Sequence, residues 1–128
     1  IITESIGQLN VNKSGIFNSY SVRPNDRIYV SKPITLEILE ELFNHNFEIV
    51  ITTNCILTNS NNEDLIIKSN CSLIIDKDGS VDLNQSDIYI ENGAALSVYG
   101  KIYNSKGFMN VDFNGYLYID EDAKILIN

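Results

Sequence analysis

Three apolar positions recur along the second half of the chain at a nearly fixed interval, and this recurrence constrains the fold more than any other feature. Leu65, Ile88 and Met109 occupy one position, Leu73, Leu96 and Leu117 a second, and Val81, Ile102 and Ile125 a third. The steps are 23 and 21, 23 and 21, and 21 and 23 residues, so the unit averages about 22 residues and only its turns change length. A period of this size marks stacked units, none of which can bury its apolar face alone.

Each unit holds three short runs. They are Leu65-Ile66-Ile67, Leu73-Ile74-Ile75 and Val81-Asp82-Leu83; then Ile88-Tyr89-Ile90, Leu96-Ser97-Val98 and Ile102-Tyr103; then Met109-Asn110-Val111, Leu117-Tyr118-Ile119 and Ile125-Leu126-Ile127. First and third residues are apolar, except where Asn104 follows Ile102-Tyr103, and the middle residue varies freely. Side chains of a strand alternate faces, so this is an inside/outside code. Three runs and three turns make a triangular coil, whose strands pair in parallel with the next coil at ~4.8 Å. The expected fold is an all-β, right-handed parallel β-solenoid of about three to four coils over residues 47–128. The hand rests on the bias of parallel crossovers.

The turns fit this scheme. Asn70, Asn92 and Asn114 recur at intervals of 22 residues, and Asn54-Cys55-Ile56-Leu57 precedes Asn70-Cys71-Ser72-Leu73 with the same pattern. Asn tolerates the left-handed conformation of a sharp bend. An Asn ladder of Asn54, Asn70, Asn92 and Asn114 at one corner is the expectation. In that alignment Cys55 and Cys71 fall in one stacked column, close enough for a disulfide, although two free thiols fit equally well. The first coil is the irregular one, because Ile49, Ile51, Asn54 and Leu57 precede Leu65, Ile67, Asn70 and Leu73 by only 16 residues.

This patterning resembles the right-handed parallel β-helix class, the pectate-lyase-like and adhesin-passenger type of fold. The resemblance covers about residues 47–128, lies at the level of the fold, and matches no particular family within it. It implies either polysaccharide cleavage or a passive surface role.

Residues 1–46 read as strands and a cap of the same structural unit. Short strands are expected over Gly15–Val22 and Arg27–Val30, followed by a helix at about 34–44. Pro33 and Thr35 are good starting residues. Ile38, Leu39, Leu42 and Phe43 form an apolar stripe, with Glu37, Glu40 and Glu41 facing out. The helix is expected to cover the open end of the first coil, with partner binding as its sharper alternative. No second cap follows the strand at Lys124–Ile127. The expectation is a longer native protein, or an end that stacks on another molecule.

A formal net charge of -8 argues against nucleic acid, whose phosphates require clustered cations. It equally disfavours anionic membranes, and no apolar run reaches the ~18–20 residues of a membrane span. One His and two Cys cannot make a zinc site in one chain, so His45 is read as a helix-end residue and no cofactor is expected. Asp76-Lys77-Asp78-Gly79-Ser80-Val81-Asp82 superficially suggests calcium, but its Gly stands fourth instead of sixth. Asp120-Glu121-Asp122 repeats the acidity two coils on, with Tyr99-Gly100 between, and solvated turns are the better reading. The cleavage chemistry implied by the resemblance lacks its clustered carboxylates on the outward positions. No catalytic residue is assigned.

Tyr89, Tyr103, Tyr116 and Tyr118 are expected to point outward, with Tyr99 at a corner. Tyrosine combines an apolar face with a polar tip and suits sugar or protein contacts, though it is also a good strand former. The favoured sticky column is Tyr103 and Leu126, flanked by Lys101 and Lys124. The sequence therefore reads as a non-enzymatic structural or adhesive module of a larger surface or secreted protein, extracellular in location, with glycan or protein surfaces as partners. The alternatives are a scaffold that stacks end to end through its C-terminal coil, as a homo-oligomer, and a fragment of a polysaccharide-acting enzyme.

Overall fold

The computed structural model describes residues 27–30, 33–44, 48–56, 64–105 and 109–127. The strands are β1 (Arg27–Val30), β2 (Glu48–Ile51), β3 (Asn54–Ile56), β4 (Leu65–Ile67), β5 (Ser72–Ile75) and β6 (Ser80–Asp82). They continue with β7 (Ile88–Ile90), β8 (Ala95–Val98), β9 (Lys101–Ser105), β10 (Met109–Val111), β11 (Tyr116–Ile119) and β12 (Lys124–Ile127). One helix, α1 (Leu36–Asn44), lies between β1 and β2. The strands form three parallel sheets, ordered β1-β2-β5-β8-β11, β3-β6-β9-β12 and β4-β7-β10. The chain visits the sheets in rotation, so the whole is a parallel β-solenoid of about four turns.

The repeat register is the one the apolar spacing predicts. Leu65 pairs with Ile88 and Ile88 with Met109. Leu73 pairs with Leu96 and Leu96 with Leu117. Val81 pairs with Ile102 and Ile102 with Ile125. The reason is burial: a slip of one residue would turn each apolar set to solvent. Ile67, Leu73, Val81, Ile90, Leu96, Val98 and Ile102 are all inaccessible to solvent.

The first coil corrects the sequence reading. Ile49 stands opposite Leu73 and Ile51 opposite Ile75, a step of 24 residues instead of 16. Cys55 stands opposite Val81, a step of 26. Similar local sequence around Asn54 and Asn70 does not mark equivalent places, since Asn54 begins β3 whereas Asn70 lies in the turn before β5. The five-stranded sheet also begins earlier than residue 47, because β1 pairs in parallel with β2, Ile28 opposite Ile49. The strand expected at Arg27–Val30 is β1; the one expected at Gly15–Val22 lies outside the described residues.

Helix α1 starts as the sequence suggests. Thr35 is its N-cap: the Oγ1 accepts a hydrogen bond from the N–H of Ile38 at 3.3 Å, and the Thr35 carbonyl accepts from Leu39 at 3.1 Å. Leu36, Leu39, Leu42 and Phe43 are buried in the same core as the coils. The helix packs against β4, the first strand of the three-stranded sheet. Two side-chain bonds fasten its C-terminal end: Cys71 Sγ to the Phe43 carbonyl at 3.2 Å, and Lys68 Nζ to Asn44 Oδ1 at 3.2 Å. It therefore covers the β4 end of the three-stranded sheet, a place where a solenoid needs a cap.

The corners settle the Asn ladder. Since Ser72, Ala95 and Tyr116 are in register, the residues two places earlier are Asn70, Gly93 and Asn114. Asn92 is one position out, and Gly93 takes the left-handed bend, with φ 82° against 67° at Asn70. Asn54 belongs to another sheet, where it opens β3 opposite Ser80 and its Oδ1 accepts a hydrogen bond from Ser80 Oγ. A glycine and an asparagine are interchangeable at such a bend, because both tolerate positive φ. The column therefore carries no continuous amide stack.

Candidate functional site

The strands β7, β9 and β11 turn alternate side chains out of the three sheets, and this places the sequence-predicted tyrosines. Tyr89 projects from the three-stranded sheet, Tyr103 from the four-stranded sheet, and Tyr116 and Tyr118 from the five-stranded sheet. The four residues thus occupy three different faces, and only Tyr116 and Tyr118 share one. Tyr116 is 56% exposed and Tyr118 38%. Tyr99, at the two-residue corner after β8, joins them: its ring lies 5.6 Å from that of Tyr118 at 48°. This tilted geometry is within the favourable range for aromatic pairs. Ala95 and Ser97 are the register partners of Tyr116 and Tyr118 on β8. The aromatic patch therefore stands beside small side chains.

Two tyrosines are tied to carboxylates of the turns. Tyr89 donates to Asp112 Oδ1 at 2.6 Å, and Tyr118 donates to Asp120 Oδ1 at 3.1 Å. These bonds to carboxylates, foremost among the causes, push both phenol pKa values up. Neither acid was singled out as a tyrosine partner from the sequence. The signal was present in the register: Asp112 follows β10, the strand paired with β7 that carries Tyr89.

The favoured column of Tyr103 and Leu126 falls on an irregular stretch of the β9–β12 pairing. Lys101 and Lys124 are opposite each other, and so are Ile102 and Ile125, but Ile127 then pairs with Ser105. The irregularity inserts an extra residue on β9, so residues 103 and 104 together stand opposite Leu126. A bulge of this kind is cheap at the end strand of a sheet.

The acidic turns serve backbone donors. Asp82 Oδ1 accepts from Asn84 N at 2.8 Å, Asp120 Oδ2 from Asp122 N at 3.3 Å, and Glu91 Oε1 from Ser69 N at 3.0 Å. Asp64 Oδ1 accepts from Asp87 N at 3.2 Å. Among the described residues no group of three or more His, Cys, Asp or Glu side chains could hold a metal ion. His45 lies outside the described residues. On the five-stranded sheet Arg27 makes a paired contact with Glu48, both N···O distances being 2.9 Å, and this bond raises the Arg27 pKa.

Of the two readings the stacked alignment left open, disulfide or thiols, the structure shows thiols: Cys55 and Cys71 are both buried and not joined. Cys55 is opposite Val81 within a sheet, whereas Cys71 sits at the corner before β5. Burial pushes both thiol pKa values up, which keeps them protonated and poorly nucleophilic.

The second exposed feature is the C-terminal coil. Val111 is 42% exposed and Ile119 44%, although their register partners Ile90 and Val98 are at 0%. Leu126 at 46%, Ile127 at 66% and Phe113 at 99% extend the apolar surface. No described helix is long and apolar enough to cross a membrane. Comparison of the chain with protein-family models, with characterised proteins and with solved structures gave no significant match.

Proposed function

We propose that this chain is a non-enzymatic structural or adhesive module of a larger β-solenoid protein, displayed on a surface or secreted, whose contact face is the tyrosine patch of Tyr99, Tyr116 and Tyr118. The observation that carries the reading is that Tyr116 and Tyr118 share one outward face, each more than a third exposed, while Tyr99 at the adjoining corner packs its ring against Tyr118. Rigid aromatic rings give a large contact area at little cost in conformational entropy, and their hydroxyls add directional bonds. Asp120, already bonded to Tyr118, supplies an acceptor at the rim. The patch suits a neutral glycan or a protein surface. The acidic turn residues support the same reading, since those described above satisfy neighbouring turn N–H groups and tyrosine hydroxyls.

The test is a panel of immobilised neutral polysaccharides and proteins probed with the full chain and with a Tyr99→Ser/Tyr116→Ser/Tyr118→Ser variant. Binding to at least one surface is expected, weakened at least tenfold in the variant, which still unfolds in one cooperative transition at a modestly lower temperature because the Tyr99–Tyr118 ring pair and the Tyr118–Asp120 bond are lost. Release of new reducing ends or unsaturated sugars from any polysaccharide would sink the non-enzymatic reading.

A further inference from the structure

We propose that the open coil formed by β10, β11 and β12 is a docking edge for one further parallel β-coil, the next coil of the longer solenoid. This rests on the reading of the chain as a section of a larger solenoid protein.

The backbone states what kind of partner fits. Among the described residues, strands β10, β11 and β12 are each the last strand of their own sheet, at the same end of the stack. Three rows of backbone N–H and C=O groups are thus presented together. A single added strand would pair one row; only a coil pairs all three at once. The side chains state the same requirement. Val111 and Ile119 continue inward columns whose earlier members, Ile90 and Val98, are fully covered by the coil above them. Cover for Val111 and Ile119 must come from aliphatic side chains one strand spacing away, ~4.8 Å.

A second copy of this chain fits less well. Head-to-tail stacking needs the opposite end to be free, but there α1 lies against β4 with Leu39, Leu42 and Phe43 buried. Tail-to-tail pairing would bring Asp112, Asp120, Glu121 and Asp122 of two copies together, with Lys124 as the partial offset. Like charges juxtaposed in this way oppose association. The occupant is therefore a coil with apolar residues at alternate positions and with neutral or basic corner residues above Asp112 and Asp120.

The experiment extends the full chain beyond Asn128 by a second copy of residues 84–105, with Gln at the position copied from Glu91 so that the corner above Asp112 is neutral, and measures amide hydrogen exchange in β10, β11 and β12. The expected result is at least tenfold slower exchange there, in a protein that sediments as a monomer. A control extension carries Asn at the positions copied from Ile90 and Val98 and is expected to leave exchange unchanged. Unchanged exchange with the apolar extension, or equal slowing with both, overturns the inference. So does a concentration-dependent dimer of the unextended chain with protected β10–β12 amides, because the occupant is then a second copy. If the extended chain precipitates, the same two coils are added in trans as synthetic peptides and judged by the same readout. Exchange in these strands does not depend on glycan or protein binding, so this inference and the proposed function fail separately.

Discussion

Leu73, Leu96 and Leu117 occupy the same inward column in three successive coils, which makes them a matched series for measuring where the core ends. Leu73 and Leu96 are at 0% exposure, while Leu117 is only partly buried. Truncation of a fully enclosed leucine to alanine removes its transfer energy and leaves a cavity, at a combined cost of about 3 kcal/mol within the usual 2–5. Both Leu73→Ala and Leu96→Ala are expected to fall in that range. At Leu117 one side is open to water, so the transfer term shrinks and no closed cavity remains; about 1 kcal/mol is expected. The gap of about 2 kcal/mol corresponds to a factor of roughly 30 in the folding equilibrium. Urea unfolding of the three variants measures it directly from the midpoints, provided that the slope m stays constant. Equal cost at Leu96 and Leu117, to within about 0.5 kcal/mol, would refute the reasoning, since it would mean that the last coil is covered in solution.

Two further outcomes follow from corner and turn geometry. A Cβ added at Gly100 would lie 2.2 Å from the carbonyl oxygens of both Asp76 and Gly79, so Gly100→Ala is expected to cost at least about 2 kcal/mol by displacing backbone. Gly93→Ala strains only its φ of +82°, the nearest atom being 3.5 Å away, and is expected to cost about 1 kcal/mol; thermal melts that reverse this order would refute the corner geometry. Alkaline titration of tyrosine absorbance should show Tyr89 and Tyr118 ionising above the ordinary value, and Asp112→Asn and Asp120→Asn should each remove one late-titrating ring. The sign is fixed by the raised folded-state value: this stabilisation is full below the unfolded pKa near 10 and is lost as pH rises through the higher folded pKa. Midpoints that do not move in the variants would show that the two bonds do not form.

The sequence by itself determined the columns of the second half. Inward and outward positions alternate within each strand, and burial enforces that alternation in every coil, so Leu65, Ile88 and Met109 could be aligned without coordinates. It also determined the cap, because Thr35 and the apolar stripe through Leu39, Leu42 and Phe43 are local signals of a helix with one buried face. Tertiary structure alone decided the first coil. Its connection to β4 is longer than the later ones, and the resemblance of Asn54-Cys55 to Asn70-Cys71 pointed to the wrong partner. Which strand hydrogen-bonds to which is a non-local choice, and it placed Cys55 beside Val81 in the four-stranded sheet, whereas Cys71 leads into the five-stranded one. The tyrosine patch was half legible. Alternation turned Tyr116 and Tyr118 outward, but only the short corner after β8 brought Tyr99 against Tyr118. Turn lengths can be read from sequence, whereas the direction in which a turn aims its side chain depends on the coils stacked above and below it.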